Sequence, residues 1–280
     1  MKYLTVLFLV LLSCFKSEEK QSQKKEIKDN SAENITILID SSITMTSPDF
    51  EPNRFTVTID AIRKIVENKK ENQSFSIVFF SGNSYLACSL TNKKENLLTL
   101  LNENPEKLIH KFAFQLRPGT NIPDGILNGI YSLKSAKSGT KSILIFSDGS
   151  TNVHSFPINT AKDELLKDNI TLNSIIISPK DFELIPTGVD EFGKIIFKKV
   201  KVKPFGKELS ELSNSTNGFN KTFHTNADFD SFDFQKIAKS DSLKDKKSKV
   251  TAKNTSEKIE KIYQIIRQRN DSLKSLFEQK

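Results

Sequence analysis

Short apolar runs alternate with segments of helical period along most of this 280-residue chain, and that alternation limits the folds it can adopt. Ile35 to Ile39, Ser74 to Phe80, Lys141 to Phe146 and Leu172 to Ile177 read as strands. Between them, Arg54 to Asn68 places Val57, Ala61, Ile62, Ile65 and Val66 at helical spacing, and Lys93 to Asn102, Ile122 to Leu133 and Asn159 to Lys167 also read as helices. Pro123 falls in a first turn, where its missing N–H costs nothing. The run at 141–146 is continuously apolar, as in a strand buried on both faces. Tyr85 to Leu90 reads as an edge strand. Strand and helix in alternation predict an α/β fold: a doubly wound, mostly parallel sheet with helices on both faces. About 200 residues suffice for one such core.

Residues 179–204 break the rhythm. Pro186, Gly188 and Gly193 punctuate an apolar and basic stretch that reads as a hairpin-like insertion. A helix at Lys207 to Ser213, a strand near Phe219 to Phe223 and a closing helix at Asp230 to Ala238 follow. The domain is thus expected over 34–239, with a linker at 240–254 and a basic helix over 255–280. That helix reads as a small coiled coil or a docking element. Residues 235–280 hold 13 Lys or Arg against 6 Asp or Glu, so +7 of the formal +8 lies there. The domain itself is near neutral. The tail suits an anionic lipid surface or an acidic partner, and equally a solvated helix. No basic–aromatic interleaving points to nucleic acid.

At the other end, Met1-Lys2 precedes an apolar run, Tyr3 to Leu12, too short to span a bilayer. Residues 1–13 read as a signal peptide. Leu12-Ser13-Cys14 resembles the lipobox of bacterial lipoproteins, which implies cleavage before Cys14 and its acylation. Residues 14–33 are polar and read as a disordered tether. This predicts a lipid-anchored membrane lipoprotein of the bacterial envelope, on the periplasmic or surface side. The second cysteine, Cys88, then has no disulfide partner and reads as a buried structural thiol.

The chemistry concentrates in three places. Asp40-Ser41-Ser42-Ile43-Thr44 follows the first strand as D-x-S-x-T. Gly119-Thr120 precedes a helix, and Ser147-Asp148-Gly149 ends the strand at 141–146. In open parallel sheets ligands bind at the carboxyl ends of strands, so these segments are expected on one edge. Their hydroxyls and carboxylates form an all-oxygen set suited to Mg2+ or Mn2+ and not to zinc. His110, His154 and His224 are scattered and form no catalytic or metal-ligand spacing, and no nucleophile elbow or phosphate loop is present, so an enzyme is not expected.

In that order, the three motifs resemble the metal-ion-dependent adhesion site of von Willebrand factor A domains. Ser47-Pro48-Asp49-Phe50-Glu51-Pro52-Asn53-Arg54, Phe79-Phe80-Ser81-Gly82-Asn83-Ser84-Tyr85 and Thr216-Asn217-Gly218-Phe219 further resemble the bacterial aerotolerance (Bat) branch. The resemblance implies that Ser42, Thr44 and Thr120 ligate the metal, with Asp40 and Asp148 acting largely through water. It implies a partner protein that supplies Asp or Glu to the metal, association with other A-domain envelope proteins or a MoxR-type ATPase system, and a role in envelope assembly or stress tolerance. The motif has Thr44 where the family usually has Ser, and Ile43 where it has a small residue. A scaffold with a decayed site is therefore the alternative, and a metal-dependent hydrolase a more distant one.

Overall fold

A computed structural model describes residues 31–234 and 252–278. The expected signal peptide, Cys14, most of the tether, residues 235–238 of the closing helix and linker residues 240–251 lie outside the described residues. All described residues belong to one compact unit.

Six strands form the main sheet: β1 (Glu33–Asp40), β2 (Gln73–Phe80), β3 (Ser84–Thr91), β4 (Thr140–Ser147), β5 (Ile170–Ile177) and β8 (Asn220–Phe223). Their order is β3-β2-β1-β4-β5-β8, with every neighbour pair parallel except the antiparallel β2–β3 edge. Because β1 is central and buried along its whole length, its sequence is apolar without a break from Ile37 to Ile39. Thr36 is the polar exception, and its hydroxyl is satisfied by Ser76 and Ser132, each at 2.8 Å. Glu33 already belongs to β1, so the tether expected through residue 33 ends earlier.

Successive residues of β1 feed opposite faces. Ile35, Ile37 and Ile39 pack with α1 (Arg54–Glu67), α2 (Lys94–Leu101) and α3 (Pro105–Gln115) through residues such as Ile62, Leu97 and Phe112. Leu38 packs on the other side with α4 (Ile122–Leu133), α5 (Ile158–Lys167) and α6 (Lys207–Ser215). Helix α3 has no counterpart in the sequence reading, although Asn104 caps it, Pro105 opens it, and Leu108, Ile109 and Phe112 give it a buried stripe. The closing helix α7 is Asn226–Ser231, earlier than expected, because Thr225 and Asp228 form a capping box that fixes its start. The insertion is a two-stranded antiparallel ribbon, β6 (Phe182–Val189) with β7 (Ile195–Lys201). Cys88 is half-buried in β3, not fully buried as expected.

Helix α8 (Ala252–Glu278) starts inside the expected linker and lies on the domain itself. Ile259, Ile262, Tyr263 and Ile266 join the core on the α4 side, while Phe277 reaches the other face, 4.6 Å from the Tyr85 ring and 5.0 Å from that of Phe112. The helix therefore crosses the β3 edge. Asn270 accepts a hydrogen bond from the Leu86 N–H at 3.0 Å and exchanges two with Asn128, so a peptide group of the edge strand is paired by α8. Arg269 donates to Asp124 Oδ1 at 2.9 Å and to Ser84 Oγ at 3.0 Å. The Asp124 side chain is 1 % exposed.

Removing the cation from this pair leaves a buried carboxylate uncompensated, a loss of about 3–5 kcal/mol. Arg269→Ala is expected to lower stability in urea by that amount, with Phe277→Ala smaller in effect. An unchanged midpoint would show that α8 does not dock.

Candidate metal centre

The strand order reverses beside β1, which gives the sheet a crevice between the carboxyl ends of β1 and β4. Asp40 closes β1, and Asp148 follows directly on β4. Both are buried. After Asp40 the chain turns through a short 3-10 segment, Ile43–Thr46, which brings the side chains of residues 42 and 44 to the same place. Ser42 Oγ and Thr44 Oγ1 are 3.0 Å apart, and Thr44 Oγ1 donates to Asp148 Oδ2 at 2.6 Å. Two of the three sequence motifs thus meet directly. Ile43, the residue that stands where the family usually has a small one, is exposed.

Hydrogen bonds fix each carboxylate. Asp40 accepts from the Ser42 N–H at 2.9 Å and from Ser147 Oγ at 2.6 Å. Asp148 Oδ1 accepts from the Ser150 N–H and its hydroxyl at 2.9 and 2.8 Å. Burial raises the Asp40 pKa, the nearby Asp148 charge raises it further, and the donors from Ser147 and Ser42 only partly offset this, so the carboxyl is pushed up to about 7.

Thr120 is held from the other side of the crevice. Its N–H donates to Asn152 Oδ1 at 2.8 Å, and its carbonyl accepts from the N–H groups of Asn152 and Val153. The preceding Gly119 has φ +102°, and a Cβ there would lie 2.5 Å from Val153 Cγ2, so only glycine allows this approach. Thr120 is buried. Gly149 (φ +80°) likewise lets the turn after Asp148 close onto Gly206, whose N–H donates to the Gly149 carbonyl at 3.1 Å.

Sequence reasoning quoted Arg54 but gave it no role. It is 1 % exposed, and it donates to Asp49 through Nε at 2.7 Å and Nη2 at 2.5 Å. Its Nη2 lies 3.4 Å from Glu183 of β6, and its Nη1 lies 3.7 Å from Asp148 Oδ2. Burial alone would lower its pKa, but Asp49, Asp148 and Glu183 together hold it above the ordinary value. The long stretch between positions 54 and 183 hides this contact from the sequence. Asn152 and Ser150 were also missed, although polar residues crowd the segment after Asp148.

The donors that gather here are hydroxyl and carboxylate oxygens. That set fits a hard divalent cation. Among the described residues no group of three or more His, Cys, Asp or Glu side chains forms a metal cluster, so any cation here depends on hydroxyls as well as on the two carboxylates. His110 and His154 are exposed, and His224 is half-buried with Nδ1 2.7 Å from the Ser178 carbonyl.

An open, mostly parallel α/β sheet with a polar crevice at its switch point defines a class of ligand-binding domain. Residues 35–150 match the family model of the von Willebrand factor type A domain. Solved structures with the same fold include BatB of Bacteroides thetaiotaomicron, at 16 % identity and a TM-score of 0.56 over 70 % of this chain and 93 % of that one. An aerotolerance-related membrane protein of Bacteroides fragilis matches at 17 % identity and 0.54 over 84 % and 98 %. A von Willebrand factor type A protein of Catenulispora acidiphila matches at 14 % and 0.51 over 71 % and 40 %. At these identities the likeness is one of fold. No curated protein matches the chain.

The raised Asp40 pKa has a definite sign. The native state holds a proton that the unfolded chain has lost, so this group's contribution to stability is full below about pH 4 and lost as pH rises through about 7. The loss is on the order of 4 kcal/mol. Urea titrations in chelator at pH 5 and 7.5 are expected to show about 2–3 kcal/mol of that fall in the wild type and a flatter profile in Asp40→Asn. Equal slopes would remove Asp40 as the source.

Proposed function

We propose that this protein is a metal-dependent binding module of the bacterial envelope. The observation that carries the reading is the hydrogen-bonded chain from Ser42 through Thr44 to Asp148, with Asp40 held by the Ser42 N–H and Thr120 held by the segment that follows Asp148. Ser42, Thr44 and Thr120 would hold Mg2+ or Mn2+, with Asp40 and Asp148 orienting the hydroxyls and bound water. A bound ion with few anionic ligands accepts a carboxylate from outside. The residues around it do the rest. Ser147 and Ser150 fix the two carboxylates, Asn152 fixes Thr120, and Arg54 balances the charge behind Asp148. The partner would be a protein that offers an Asp or Glu.

Domains of this type generally act as interaction modules, which supports binding rather than catalysis. The Bat-type structures support a place at the envelope and a role in assembly or stress tolerance, alongside other A-domain proteins. Among the described residues no helix is long and apolar enough to cross a membrane. Attachment through an acylated Cys14 is therefore part of the proposal, with the basic tail as a second contact to an anionic surface. A scaffold without metal is the second reading. It is favoured by one observation: Thr44 already donates its proton to Asp148, and Arg54 already places a cation nearby.

Titration separates the two. At a metal concentration 100-fold above Kd the native state gains about 2.7 kcal/mol, which raises Tm by roughly 5–10 °C in a domain of this size. Mg2+ or Mn2+ is expected to produce that shift in the wild type and to leave Asp40→Ala and Thr120→Ala unmoved. No shift in the wild type would leave only the scaffold. Mass spectrometry of the mature protein is expected to find an acylated N-terminal Cys14, and an unmodified Cys14 or another start would refute the anchor.

A further inference from the structure

Eight large apolar side chains are exposed among the described residues, and six of them sit on segments that leave the carboxyl edge of the sheet: Ile43, Phe182, Val189, Phe192, Ile196 and Phe205. The other two are on α8. Single exposed apolar residues are ordinary on any surface, but their concentration on one edge is not. Four of the six belong to the β6–β7 ribbon.

The ribbon is fixed at its base and free at its tip. At the base, Glu183 meets Arg54, the Leu184 N–H donates to Asp49 Oδ2 at 3.1 Å, and the Ser47 hydroxyl donates to the Leu184 carbonyl. These are the loop and helix start that follow the D-x-S-x-T motif. Since Arg54 also faces Asp148, the base of the ribbon is held in register with the metal crevice. At the tip, Asp190 accepts from the N–H groups of Phe192 and Lys194 at 2.9 and 2.8 Å, and the turn presents Phe192, which is 85 % exposed. Lys198, Lys199, Lys201 and Lys203 follow, all exposed, with no acidic residue among them. A two-stranded ribbon has little core of its own, and its outward apolar surface gains nothing for folding.

We propose that the β6–β7 ribbon is the second half of the partner-binding face, and that it takes an extended protein segment rich in acidic and apolar side chains. One Asp or Glu of that segment reaches the metal, and for this contact the inference rests on the metal-site reading. Its other carboxylates meet Lys199 and Lys201, and its apolar side chains lie against Phe182 and Val189, which the register places on the same face of the ribbon, and against Phe192 at the tip. From Leu184 at the base to Val189 near the tip is about 17 Å of strand, so the segment spans roughly six extended residues. A lipid surface is the competing occupant for an apolar and basic arm. The exposed Glu191 beside Phe192 argues against it, because anionic headgroups would repel the arm where the ring has to enter.

The test uses residues 31–280, the compact unit that holds the whole described fold, and selects binders in Mg2+ from a displayed library of random peptides. Enriched peptides are expected to combine Asp or Glu with aromatic or aliphatic residues and to lose affinity in EDTA. Phe192→Ser with Val189→Ser is expected to weaken them at least tenfold, as is Lys199→Glu with Lys201→Glu at low salt. Both pairs are expected to leave the metal-induced Tm shift unchanged. The proposal is overturned if the peptides bind the ribbon variants as tightly as the wild type, or if none is enriched over those variants. It is also overturned if the variants lose binding to phosphatidylglycerol vesicles while keeping the peptides. A wild type without a metal shift, whose peptides still depend on the ribbon, would sink the metal reading and leave the ribbon surface standing.

Discussion

Two carboxylates buried side by side are the constraint around which this edge of the molecule is built. The parallel register of β1 and β4 brings their carboxyl ends together, and with them Asp40 and Asp148. Taking such groups out of water costs several kcal/mol each unless donors surround them. The local sequence supplies those donors. Ser42 and Ser147 serve Asp40, and Thr44 and Ser150 serve Asp148. The backbone follows suit: the 3-10 turn after β1 and the left-handed glycines at 119 and 149 are what let these loops close on one another. A cation at this point would satisfy the remaining charge, so the same geometry would serve both folding and the proposed binding.

Arg54 makes the arrangement asymmetric. It stands behind Asp148 and has no contact with Asp40. A buried guanidinium needs several acceptors, and here they come from three parts of the chain: Asp49 nearby, Asp148 after β4, and Glu183 in the insertion. The insertion is thereby an ordered part of the crevice wall and not a loose loop. Moving Glu183 would leave Arg54 with less compensation, and a change at Asp148 would be felt at the base of the ribbon.

Local signals carried the sequence reading, and long-range pairings escaped it. The strands and helices were visible because β1 and β4 carry short apolar runs, Ile37–Ile39 and Ile143–Phe146, and α1 and α4 bury apolar side chains at helical spacing. The site was visible because its residues come in short motifs at strand ends. Arg54 was not, since an arginine at a helix start looks like a surface residue until Glu183, 129 positions away, is brought beside it. Helix α3 was overlooked even though Asn104-Pro105 announces it. The closing helix was placed too late because its apolar residues continue past its end, in Phe232 and Phe234, while the Thr225–Asp228 capping box marks its true start. The apolar stripe of α8 fits a coiled coil and a docking helix equally well. Only the pairing of Arg269 with Asp124, 145 positions away, decides between them.

The two elements outside the core helices stand at different borders of the sheet, and their chemistry is opposite. Helix α8 covers β3, the edge that would otherwise offer unpaired peptide groups to another strand, and it buries its apolar side chains in doing so. Two of its arginines already have partners: Arg269 is bound to Asp124 and Ser84, and Arg267 meets Tyr131. The ribbon does the reverse, leaving apolar side chains and lysines facing water beside the carboxyl edge. Docking α8 closes the sheet border most prone to unspecific pairing. Exposed apolar and basic side chains are then concentrated beside the crevice, where the proposed carboxylate-bearing partner would arrive.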